Sequence, residues 1–192
     1  LELDFLRALW AMRVENIKTA RECAEEDRNR KRPRRHLAMR LAILAECDVR
    51  ARQVDRAWTL LEESRWLEPT RYADFVEVLL AANSDGTRAN ERLWLADRES
   101  IATALEQVVP GALAEFWIAC GTLLGRQGED GEGRVCVARA GACVHESGLA
   151  DPRSIWCWQR LLDEPSTVRA STWARQVEKE WSEKDEKSET HR

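Results

Sequence analysis

The chain has 192 residues, 44% hydrophobic and 33% charged, with a net charge of −4. That composition supports one sizeable core under a wet surface and excludes a global bias toward nucleic acid or anionic membrane. No apolar run approaches the roughly 18 residues needed to cross a bilayer, and Leu1-Glu2-Leu3-Asp4 lacks the basic and apolar regions of a signal peptide. The expectation is a cytoplasmic protein. Because it does not open on Met, it is expected to be a fragment or processed piece of a longer protein.

Nine Gly and five Pro, against many Ala, Leu, Glu and Arg, favour helix. Pro33, Pro69, Pro110 and Pro152 lie 36, 41 and 42 residues apart. Proline disfavours helix in the residue before it and breaks one that runs through it. Punctuation at this period predicts stacked helix pairs, each too small to bury its own core.

In chain order, residues 3–27 read as one long helix or a kinked pair, with an apolar stripe of Leu3, Leu6, Trp10, Val14, Ile17 and Ala24. Arg28–His36 ends it. Helices follow over about 36–49 and 53–67, then the turn Glu68-Pro69-Thr70 and a helix over 71–83. Asn83–Thr87 is a break, with Thr87 able to cap a helix over 88–108 that carries Leu93 and Trp94. Residues 112–124 are strongly apolar, and Gly125–Gly131 is predicted to be the longest loop. Helix 134–147 stops at Gly148. A short helix over 153–163 precedes a turn where Ser166 or Thr167 caps a helix over about 168–183. The polar residues 182–192 are expected to fray.

Two stretches carry a family resemblance. Trp117, Cys120, Gly121 and Leu124, followed by Ala140, Val144, Ser147 and Pro152, resemble the two helices of a tetratricopeptide repeat. Cys120 stands where that family has Leu, and the join is about seven residues too long, with the excess in Gly125–Gly131. Leu41, Leu44, Ala45, Ala57, Leu61, Ser64 and Pro69 match in spacing and length, with Asp48 as a mismatch. Trp158, Leu161 and Ala174 match partly, and 1–33 and 70–110 fit as generic helix pairs. The resemblance implies an all-α, right-handed helix-turn-helix solenoid (TPR-like) of four to five pairs: 1–33, 34–69, 70–110, 111–152 and 153–185. These form a single domain over 1–185, with 186–192 a disordered polar tail. It also implies a regulatory scaffold or adaptor that binds a protein segment on its concave face. Ala42 and Glu46 are the inward-facing candidates on 36–49, so the family's Lys/Asn carboxylate clamp is not reproduced.

Partner-binding candidates are Trp66, Trp156, Trp158 and Trp181. Trp156 and Trp158 are two apart and cannot share one helical face, Trp66 sits at a helix end, and an exposed Trp is a frequent binding hot spot. Trp181 is expected to dock a partner or cap the last helix. The basic patch of Arg28, Arg30, Lys31, Arg32, Arg34 and Arg35 supports the alternative of a nucleic-acid-binding helical protein. An enzyme ranks third, and a further reading is a packing subunit of a larger assembly.

The six cysteines (Cys23, Cys47, Cys120, Cys136, Cys143, Cys157) form no Cys-x-x-Cys and are expected to be reduced, buried thiols. Cys136, Cys143 and His145 lack the four-ligand spacing of a structural zinc. The histidines His36, His145 and His191 offer no base beside a thiol. No metal, cofactor or catalysis is expected.

Overall fold

Side-chain caps at Asn16 and Thr70 open two of the described helices, whereas those entered at Pro33, Gln53, Asp97 and Asp151 start without one. The computed structural model describes residues 3–14, 16–25, 33–84, 97–147, 151–165 and 168–189, and among these it holds ten α-helices, one 3-10 turn and no strand. The all-α class is therefore as the sequence predicts. The kink in the first segment falls at Asn16, whose side-chain oxygen accepts the Thr19 amide at 3.1 Å. It separates α1 (Leu3–Arg13) from α2 (Ile17–Glu25).

Pro33 precedes α3 (Arg34–Arg50), and α4 spans Val54–Leu67. Thr70 Oγ1 accepts the Ala73 amide at 3.2 Å and opens α5 (Arg71–Asn83). α6 covers Arg98–Val108, followed by the 3-10 turn Pro110–Ala112. The expected break at residues 85–87, the start of helix 88–108 with Leu93 and Trp94, Gly148, and the Ser166/Thr167 cap lie outside the described residues.

The glycine-rich stretch corrects the sequence reading. α7 (Leu113–Gln127) runs through Gly125, and α8 (Asp130–Ser147) begins three residues later. Only Gly128 and Glu129 separate them, and Gly128 takes a left-handed φ of 83°. The predicted seven-residue loop is therefore a two-residue join. α9 (Pro152–Asp163) carries its proline in the first turn, where no amide is needed. α10 (Arg169–Glu189) continues into the stretch read as a disordered tail.

By their internal contacts the helices gather into two compact units, Leu1–Ala112 and Leu113–Arg192. In the first, α1 packs on α2, α3 on α2, α4 and α5, and α5 on α4 and α6. α3 is thus surrounded, and every residue from Ala42 to Val49 is buried. Its small residues Ala38, Ala42 and Ala45 are buried, as are Ala57 and Ser64 of α4, and the Ser64 hydroxyl donates to the Ala38 carbonyl at 2.7 Å. In the second unit, α7 packs on α8, α9 on α7 and α8, and α10 on α7, α8 and α9.

The first helix also departs from expectation. Leu6, Trp10 and Val14 are exposed, while Ala8, Leu9, Ala11 and Met12 are buried. The inward face thus mixes two alanines with Leu9 and Met12, while the larger indole of Trp10 stays outside.

Candidate functional site

Trp66 closes the solvent side of α4 at 84% exposure, the most open of the large apolar side chains described, with Trp10 next at 65%. Trp156 is 41% exposed, and the Arg160 guanidinium lies 5.0 Å from its ring centroid. Both therefore present aromatic surface.

Trp158 does not. It is buried between α9 and α10, and its Nε1–H donates to Glu178 Oε2 at 2.9 Å. Trp156 and Trp158 do point apart as their spacing demands, and Trp158 is the one that faces the core. Trp181 is half-buried and stacks on His145 of α8, with centroids 4.4 Å apart and planes 14° apart. His145 Nε2 lies 3.3 Å from Glu178 Oε2, and the Lys184 ammonium lies over the Trp181 ring, 5.4 Å from its centroid. Trp181 therefore fastens α10 to α8 instead of standing free as a docking point.

Of the basic patch, Arg34 and Arg35 are exposed at the first turn of α3, and Arg28, Arg30, Lys31 and Arg32 lie outside the described residues. The groove-facing candidates on α3 are corrected outright. Ala42 and Glu46 are both fully buried, because α5 covers that face and the Tyr72 hydroxyl donates to Glu46.

A buried polar cluster surrounds α3. Arg50 donates to Glu46 at 3.1 Å one turn along the helix. The fully buried Asp48 pairs with Arg21 of α2 and, at 3.1 Å, with Arg56 of α4. Asp48 is the residue that breaks the tetratricopeptide pattern, and the two arginines explain how it is tolerated. The hydrogen bond to Asp48 raises the Arg21 guanidinium above its ordinary value. On α5, buried Glu77 pairs with Arg65 of α4, which also donates to Asp74 at 3.2 Å. Cys47, between Glu46 and Asp48, points at Met12 Sδ 3.8 Å away; burial pushes its thiol up to about 12, and the Glu46 charge adds to the rise. A thiol held in that form is a poor nucleophile.

The second unit has its own buried pair. Fully buried Arg153 donates through Nε at 3.1 Å and Nη2 at 2.7 Å to Glu115 Oε2. Ser154 donates to Asp151, the residue ahead of α9.

All six cysteines are free; four are buried, and Cys23 and Cys143 are half-exposed. Among the described residues no group of three or more His, Cys, Asp or Glu is placed to hold a metal ion. No helix among them is long and apolar enough to cross a membrane.

Sequence reasoning missed the buried carboxylates because their partners are remote: Arg21 lies 27 residues from Asp48, and Glu115 lies 38 from Arg153. The only local signal was a charge at an apolar position of the repeat pattern, Asp48. Comparison with known protein families, curated proteins and solved structures finds no match for this chain.

Proposed function

We propose that the chain is a non-catalytic scaffold or adaptor of the tetratricopeptide-like kind, which binds a segment of another protein. The observation that carries this reading is the packing order in Leu1–Ala112. α3 packs on its own partner α4, on the preceding α2 and on the following α5. Stacked helix pairs require neighbours one and two elements along, and such arrays serve to present extended surfaces. The aromatic anchors of the reading are Trp66 and Trp156, which combine large apolar area with exposure. Trp158 and Trp181 are withdrawn from that role because each is engaged within its own unit.

The test is a pull-down from native lysate with the whole chain as bait, with and without nuclease. A defined protein retained after nuclease, and lost on Trp66→Ala or Trp156→Ala, supports the scaffold. Retention of only nuclease-sensitive material overturns it in favour of nucleic-acid binding through the patch that includes the exposed Arg34 and Arg35.

A further inference from the structure

α4 turns Ala57, Trp58, Leu60, Leu61 and Ser64 inward against α3 and α5. At 3.6 residues per turn, position 66 lies about 200° round the helix from position 64. Ser64 bonds α3, so Trp66 points away from it. Asp55, Thr59, Glu62 and Glu63 share the outward side with Trp66 and are all exposed. Glu62 and Glu63 stand one turn before it, close enough to share a ligand. Among the described residues these two carboxylates make no ion pair and Trp66 makes no ring contact. The neighbouring Arg65 is engaged, holding Asp74 and Glu77.

We propose that this outer ridge of α4 docks a basic segment of another protein. An Arg or Lys of the segment lies on the Trp66 ring, and flanking cations pair with Glu62 and Glu63. The argument is charge complementarity. An indole face attracts a cation, Arg above all. Two free carboxylates select for that cation and repel acidic segments. Each exposed ion pair alone contributes little, so the ring supplies the anchor and the acids the selectivity. The ridge belongs to the second helix of its pair, whereas a repeat array's groove is lined by first helices. The proposal rests on the scaffold reading only in taking the partner to be a protein.

The experiment is a fluorescence-anisotropy titration of the full chain against a labelled octapeptide alternating Arg and Ala, with a Glu-Ala octapeptide in parallel. The Arg peptide is expected to bind and the Glu peptide not to. Trp66→Ala, which leaves the net charge unchanged, should weaken binding about tenfold. The double change Glu62→Gln/Glu63→Gln should weaken it and flatten its salt dependence. Equal affinity of the chain and its Trp66→Ala variant overturns the proposal, as does equal binding of the two peptides. Self-association lost in Trp66→Ala makes the occupant a second copy and also overturns it. A lysate partner retained equally by Trp66→Ala removes the ridge and leaves the scaffold standing. Absence of any retained protein removes the scaffold, while the peptide titration still decides the ridge.

Discussion

Leu1–Ala112 buries several charges around one helix, whereas Leu113–Arg192 buries the Arg153–Glu115 pair and packs large side chains onto glycines of α7 and α8. In the first unit, the arginines that serve Asp48 reach solvent: the Arg21 side chain is partly exposed and that of Arg56 more than half. In the second, Arg153 is sealed. At Gly121 an added Cβ would come within 2.8 Å of Val137, and at Gly133 within 2.6 Å of Trp173. The difference teaches where each unit is brittle. A charge with a path to water has somewhere to go when its partner is lost; a sealed charge and a filled space have not.

The largest expected effect follows from that contrast. Arg153→Met should destabilise the second unit by about 3–5 kcal/mol, because Glu115 is left buried without its cation. The double change Arg153→Met/Glu115→Leu should recover most of the loss, and thermal melts of both variants check the pair. If the single change costs no more than the double, burial of the lone carboxylate is not what matters there.

Gly133→Val should cost about 1–3 kcal/mol by forcing Trp173 off its position. The near-ultraviolet dichroism of the tryptophans should change with it. A variant that melts with the parent and keeps that signal would show that the ring moves freely.

Arg21→Ala should cost only about 1 kcal/mol, since Arg56 remains beside Asp48. Adding Arg56→Ala should cost more than twice that. Simple additivity in this double-mutant cycle would break the claim that the two arginines share one carboxylate.

The smallest effect concerns Cys47. Its folded value is raised above that of an unfolded thiol, so the stability it contributes is complete below about 9 and lost as pH rises from there to about 12. At pH 8, iodoacetamide should label Cys23 and Cys143 while sparing Cys47. Labelling of Cys47 at a rate matching Cys23 would mean that α3 opens readily.

Much of the helical layout was legible in the sequence. The turn at Glu68-Pro69-Thr70 is followed by α5 at Arg71, and the small residues Ala45, Ala57 and Ser64 all lie buried in the α3–α4 pair. The glycines misled for a physical reason. Gly125, which looks like a breaker, and Gly133 both sit inside helices where the Trp173 ring comes within 3.2 and 2.6 Å of the place a Cβ would occupy. A residue more than 35 positions away explains them, and no local pattern contains it. The first helix misled similarly, because Leu6, Trp10 and Val14 outshone Ala8, Leu9, Ala11 and Met12, which are the residues that face in. Of the proposed anchors, spacing separated Trp156 from Trp158 but gave no sign of which faced out. That depended on Glu178, twenty residues downstream.

The Trp173 ring has a consequence for how this region can vary over time. A side chain gained at position 133 needs a smaller ring at 173, and a smaller ring leaves a hollow unless position 125 or 133 grows to fill it. Neither change is tolerable first at full size. Substitutions there are expected to arrive as matched pairs or through an intermediate of reduced stability, so two helix interiors and a distant aromatic drift as one unit.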